Sequence, residues 1–184
     1  MMRIVGIAGH ARAGKDTVAQ WLVRNRGALR FSFASPIKAA LGRLFGIQPS
    51  VWDGPEKECP LPHLGKSPRE LAQTLGTEWG RNLVHQDVWV LAARRVFENA
   101  FVLDDQIVAI PDVRFENEAA FVRERGVILH LYRDAADGRV GLVGHESERG
   151  VQPAPEDIMI SNNGTIDELH EKLEHLFPAS TLTF

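Results

Sequence analysis

The residues with the clearest chemistry are Gly9-His10-Ala11-Arg12-Ala13-Gly14-Lys15-Asp16-Thr17. They fit G-x-x-x-x-G-K, followed by an acid where Ser or Thr is usual. An apolar run, Ile4-Val5-Gly6-Ile7-Ala8, precedes them, and an amphipathic one with Val18, Trp21 and Leu22 follows. A strand, a Gly-rich turn and a helix together make a phosphate cradle at the helix N-terminus. Backbone N–H groups of residues 10–16 would ring a β-phosphate there. Lys15 would reach β- and γ-phosphate oxygens, and Thr17 would bond the α-phosphate. A Gly-rich turn with a solvated Lys is the plainer alternative. Asp16 stands where a hydroxyl normally holds Mg²⁺. The helix dipole favours an acid in the first turn, but phosphates repel one unless a metal or a donor lies between. Asp16 therefore reaches Mg²⁺ through water, orients an acceptor or loop side chain, or serves only the dipole.

Other residues can act with this loop. Asp112-Val113-Arg114-Phe115 follows the apolar run Ile107–Ile110. An acid there can organise a metal in a phosphate-loop enzyme, or cap the next helix. Arg69 follows Ser67-Pro68, and its guanidinium offers a bidentate fork to a phosphate. Arg81 and Arg12 are the next candidates, against the usual reading of Arg as solvated surface. Phe33, Trp79 and Trp89 can form a slot for a base, although the helical spacing of Trp79 favours core packing. Arg133 and Arg139 border the polar segment 133–150, which also holds His145-Glu146-Ser147-Glu148. Such a segment is either a lid supplying cations during transfer or a solvated loop. Cys59 and His63 lack the second pair that a zinc site needs.

The elements that must position these groups alternate. Strands are expected over 2–8, 29–34, 107–110, 127–132 and 158–160, with helices over 15–26, 35–46, 67–83, 87–99, 115–125 and 166–176. Ser35 is expected to cap the helix that Pro36 opens, and Ser67 with Glu70 has capping-box spacing. Leu71, Leu75, Trp79 and Leu83 recur at four-residue steps. Five of the ten prolines (Pro49, Pro55, Pro60, Pro62, Pro68) mark 47–66 as irregular. Alternation of this kind implies a parallel sheet with right-handed crossovers, whose ligands bind at the carboxyl ends of the strands. Gly9, Asp112, Arg133 and Asn162 should then line one edge.

The chain has 184 residues and a net charge of −3, with no basic block. That argues against a nucleic-acid polymer as partner. One cysteine excludes an internal disulfide and fits a reducing cytoplasm. No apolar run approaches membrane-span length, and no signal peptide is expected.

Taken together, Gly9 to Thr17 with its Gly-Lys-Asp-Thr ending, Ser67-Pro68-Arg69, Leu75-Gly76-Thr77-Glu78-Trp79-Gly80-Arg81, Asp112 to Glu118 and Asn163-Gly164-Thr165 resemble the bacteriophage-type deoxynucleoside monophosphate kinases. The resemblance runs over about residues 3–176. It implies an α/β P-loop nucleoside monophosphate kinase-like fold, a parallel sheet flanked by helices with an acceptor-binding helical region and a lid. The implied layout is a single domain over 1–184, with a core of about 1–46 and 102–176, an acceptor insertion of about 47–101 and a lid of about 133–150. The implied reaction moves the ATP γ-phosphoryl to a deoxynucleoside monophosphate (dNMP), with Mg²⁺. Lys15, Arg12, Asp16 and Arg133 would carry catalysis. ATP would meet Ala11, Ala13, Gly14, Lys15, Thr17, Arg133, Asn163, Gly164 and Thr165. The acceptor would meet Arg12, Asp16, Phe33, Arg69, Trp79, Arg81, Asp112, Arg114 and Glu148. Asp16 and Asp112 are the metal candidates. Some relatives carry a basic residue where this chain has Ala11. Small nucleotides are the expected partners, in a cytoplasm (that of the host if the chain is phage-encoded), and a homodimer stays open. The rivals are a P-loop kinase of another small acceptor and a non-catalytic nucleotide-binding regulator.

Overall fold

Every residue from Ile4 to Ala8 and from Ile107 to Ile110 is buried. Apolar runs without alternation require such cover on both faces. The computed structural model describes residues 3–99, 106–134 and 150–179. In chain order the elements are β1 (Arg3–Gly9), α1 (Lys15–Arg26), β2 (Leu29–Arg30), α2 (Ser35–Phe45), two 3₁₀ turns (Pro49–Trp52, Pro55–Glu58) and α3 (Pro68–Gln73). A π-helical stretch (Thr74–Val84), α4 (Val88–Asn99), β3 (Ile107–Ile110), α5 (Glu116–Arg123), β4 (Gly126–Tyr132), β5 (Ile158–Ser161) and α6 (Ile166–Leu176) follow. The sheet order is β2-β3-β1-β4-β5, and all four pairings are parallel. One sheet edge therefore collects every strand's carboxyl end, so Gly9, Asp112, Arg133 and Asn162 follow strands that end along it.

Two compact units form, Met1–Ser32 with Asn99–Phe184, and Phe33–Glu98. The first holds the sheet. Its core includes Val18, Leu22, Leu129, Leu131, Leu169 and Leu173. Val18 and Leu22 are fully buried; at about 1.5–3 kcal/mol for each such side chain, they seat α1 and so fix where the loop before it lies. The second unit packs Leu71, Leu75 and Trp89 around Ile37, Leu41 and Ile47.

The structure corrects several local expectations. The strand expected over 29–34 stops at Arg30, although the Phe31 N–H still donates to the Ala109 carbonyl at 3.0 Å. Ser35 lies inside α2, and Ala34 precedes it with no side-chain cap. Ser67 and Glu70 do form the capping box. Beyond Gln73 the helix widens, as the His85 N–H bond to the Gly80 carbonyl (3.0 Å) shows at its end. Widening breaks the four-residue rhythm: Leu71 and Leu75 pack inward, while Trp79 is 49% and Leu83 78% exposed. The expectation that Trp79 is core is thus overturned.

One polar cluster ties β4 to the approach of β5. The Asp157 carboxylate is fully buried. It accepts from Arg123 Nη2 (2.6 Å) and Nε (3.1 Å), from the Ala154 N–H (2.8 Å), and pairs with His130 Nε2 (2.9 Å). Burial alone would raise its pKa, but these partners outweigh burial and hold the carboxyl at about 2, against an ordinary 3.8. The stability this contributes is complete above pH 3.8 and is lost as pH falls from there through about 2, because the unfolded chain takes up the proton first. Asp157→Asn leaves Arg123 only the exposed Glu116 carboxylate, 3.7 Å from its Nη1, and is expected to cost about 3 kcal/mol or more in urea unfolding at pH 7. It should also flatten the acid loss in that window. A cost below about 1 kcal/mol would show the cluster to be dispensable.

Candidate active site

The loop after β1 is built from backbone that ordinary side chains avoid. Gly9 has φ 137°, Arg12 φ 65° and Gly14 φ 104°, the left-handed half of conformational space that glycine enters most easily. The Val18 N–H returns to the Gly14 carbonyl at 3.1 Å, starting α1. Asn162, buried just past β5, donates its Nδ2 to the Ala13 carbonyl at 2.8 Å. That bond pins the loop to the sheet. Asn162 is expected at this edge from sequence, but its role there becomes visible only in the fold.

Lys15 folds back over the loop. Its Nζ donates to the Gly9 and His10 carbonyls, both at 2.7 Å. Burial, then the nearby Arg114 charge, lower its pKa to about 8, while Asp16 and Asp112 pull the other way. Asp16, Asp112 and Arg114 thus each lie close enough for Lys15 to feel their charge. Arg30 Nη2 donates to Asp16 Oδ1 at 2.5 Å, and the Ser32 hydroxyl donates to Asp112 Oδ2 at 2.6 Å. Sequence reasoning missed Arg30 and Ser32. The strand expected over 29–34 hid them, because only its early end at Arg30 brings both to the carboxyl edge of the sheet. Asp112 does not cap α5: Phe115 precedes that helix, and Glu118 Oε2 accepts from the Arg114 and Phe115 N–H groups (2.8 and 3.2 Å).

On the β5 side, Asn163 and Asp134 clamp each other, the Asp134 N–H donating to Asn163 Oδ1 at 2.8 Å and Asn163 Nδ2 to Asp134 Oδ2 at 2.6 Å. Thr165 caps α6 with Glu168 as its box partner. Gly164 lies between them, exposed, as are Ala11, Arg12 and Arg133. Ala13 is buried beneath the loop, and Thr17 is half-buried. Glu148 and Arg139, with most of the expected lid, lie outside the described residues.

The remaining candidates belong to the second unit. Arg69 Nη1 pairs with Glu58 Oε1 at 2.9 Å. Arg81 is 8% exposed and donates Nη1 to the Gln86 carbonyl at 3.1 Å. Phe33 is buried, and Trp89 donates Nε1 to the Gly76 carbonyl at 2.7 Å while packing on the unit's core. The slot expected from Phe33, Trp79 and Trp89 is therefore not presented as one aromatic surface: two of the rings are committed to packing.

Comparison with known proteins adds what geometry does not. The family model for deoxynucleotide monophosphate kinase matches residues 3–52 and 65–173. The chain belongs to that family. Among its relatives, the deoxynucleoside-5′-monophosphate kinase of Escherichia phage T5 is 27% identical over 73% of this chain and 76% of its own. The deoxynucleotide monophosphate kinase of Enterobacteria phage T4 is 23% identical over 95% and 98%. A protein of Acanthamoeba polyphaga mimivirus is 28% identical over 94% of each. Shikimate kinase from Aquifex aeolicus shares the fold, with TM-score 0.54 at 12% identity over 98% of this chain and 99% of the other. The chain thus has an α/β fold shared with that kinase, a parallel sheet flanked by helices, and by its family it is a kinase. Among the described residues no helix is long and apolar enough to cross a membrane, and no three His, Cys, Asp or Glu side chains cluster.

Proposed function

We propose that this chain transfers the γ-phosphoryl group of ATP to the 5′-phosphate of a deoxynucleoside monophosphate. The observation that carries this reading is a phosphate loop pinned to the sheet by Asn162, with Lys15 held over it and Asp16, Arg30, Asp112 and Arg114 nearby, in a chain of this family. Two polyanions must meet for the reaction. Cations and loop N–H groups on a fixed edge offset that repulsion and hold the oxygens in line, which is most of what phosphoryl transfer asks of a protein. The attacking atom is already a phosphate oxygen, so no strong general base is needed.

In this reading Lys15, Gly14, Ala13, Ala11 and Thr17 hold the ATP phosphates, and Asn163, Gly164 and Thr165 border the adenine. Arg12 and Arg133 supply further positive charge. Arg69, with Arg114 and the exposed Trp79, serves the acceptor. Mg²⁺ prefers one or two carboxylates together with substrate phosphates and water. Asp112 and Asp16, the two carboxylates whose charge Lys15 feels, would supply that ligand, each with one oxygen already accepting a hydrogen bond, from Ser32 and from Arg30. When bound, the metal would neutralise charge on the transferring phosphates. The partners are free nucleotides rather than a polymer, and the site of action is the cytoplasm that holds them.

Arg69→Ala tests the assignment of sides. The expected result is a dNMP KM raised about tenfold or more, from loss of a charge-assisted contact of about 1.5–3 kcal/mol, with the ATP KM within about twofold of the parent. A raised ATP KM with an unchanged dNMP KM would place Arg69 with the wrong substrate.

A further inference from the structure

Arg30 is the residue of this edge that nothing so far employs. It ends β2, at the far side of the sheet from β5 and its turn. Its side chain is 47% exposed, and among the described residues its one side-chain partner is the Asp16 carboxylate, itself 82% exposed. Ion pairs this open contribute little to stability, so fold maintenance is a poor reason for a cation and an anion to be set against each other beside a phosphate loop. A guanidinium has five N–H donors in a rigid fork, and the Asp16 bond uses one face of it. The remaining donors stay available to an anion. The loop is held to the sheet from the β5 side through Asn162, while Asp16 is turned toward β2.

We propose that Arg30 binds the phosphate of the acceptor nucleotide and that Asp16 is a positioning residue, acting through Arg30. The acid in the loop then orients a cation toward the incoming dNMP instead of serving the metal. Its negative charge is neutralised by the same contact, which explains how an acid is tolerated where polyphosphate binds. This inference rests on the kinase reading above and names the acceptor side of that site.

The test is steady-state kinetics on the full chain, at saturating Mg²⁺ for the substrate KM values and over a Mg²⁺ titration, comparing the parent with Arg30→Ala, Arg30→Lys, Asp16→Asn and the double variant Asp16→Asn/Arg30→Ala. Arg30→Ala is expected to raise the dNMP KM about ten- to a hundredfold, the usual range for one charge-assisted contact, with the ATP KM within about twofold. Arg30→Lys should fall between, since Lys keeps the charge and loses the fork. Asp16→Asn should raise the dNMP KM less than Arg30→Ala, leave the Mg²⁺ dependence unchanged, and make the double variant no worse than Arg30→Ala. Thermal unfolding of each variant separates a folding defect from a binding one, and Arg30→Lys keeps the question answerable if Arg30→Ala folds poorly. An unchanged dNMP KM in Arg30→Ala overturns the proposal. So does a double variant whose loss is the product of the single losses, or a Mg²⁺ requirement that shifts in Asp16→Asn. A parent chain inactive on all four dNMPs would instead overturn the kinase reading, and this one with it.

Discussion

Lys15→Ala is expected to lower turnover by at least about a thousandfold, or some 4 kcal/mol of transition-state stabilisation. Two carbonyls of the loop hold Lys15 Nζ at 2.7 Å. The ammonium is thereby fixed over the cradle. When phosphate oxygens arrive they offer a stronger, charged acceptor than the carbonyls they replace. Alanine removes that charge from a partly buried site, where electrostatic effects exceed their value in water. The same burial that lowers the Lys15 pKa to about 8 predicts a pH signature. Below about 8 the free enzyme holds the ammonium; as pH rises through that value the charge is lost, and kcat/KM for ATP should fall. A Lys15→Ala rate within about tenfold of the parent, or 1.4 kcal/mol, would contradict the loop assignment.

Gly9→Ala is expected to destabilise the fold by more than about 3 kcal/mol. Gly9 has φ 137°, and a Cβ placed there would lie 2.2 Å from the Leu131 carbonyl oxygen. Strained backbone of this kind costs about 1–3 kcal/mol by itself. The clash adds to it, because the obstructing atom is β4 backbone in a paired strand, which cannot swing aside as a flexible side chain would. Either β1 separates from β4 at Gly9, losing the register that pairs it with Leu131, or the loop leaves its place. Urea unfolding should show a lower midpoint with an unchanged slope, the sign of lost stability without a changed denatured state. Activity should fall with it, since Gly9 is also a carbonyl that holds Lys15. A loss below about 1 kcal/mol would mean that the edge yields more than its packing suggests.

Much of this architecture was legible in the residues. The unbroken apolar runs at Ile4–Ala8 and Ile107–Ile110 required strands covered on both faces, and alternation with helices required them to be parallel. Gly9 to Thr17 announced the cradle because its glycines and lysine act through local backbone, which a linear motif records. Contacts that join distant segments were not legible. Nothing in the chain's order ties Asn162 to Ala13, Ser32 to Asp112 or Arg30 to Asp16, because each pair meets only when crossover connections bring strand ends to one edge. Trp79 failed for a different reason. Four-residue spacing predicts one buried face only while the helix keeps its ordinary pitch, and the chain departs from that pitch after Gln73. Arg81 was singled out by type, and its buried place with Nη1 bonded to the Gln86 carbonyl is known only from the fold.

Acceptor dependence separates a nucleotide kinase from an ATPase. ADP release from ATP and Mg²⁺ is measured with each of the four common dNMPs, with the matching ribonucleotides, and with no acceptor. The account predicts ADP formation that requires a deoxynucleoside monophosphate and yields the diphosphate in equal amount. ADP formed as fast with no acceptor present would contradict it.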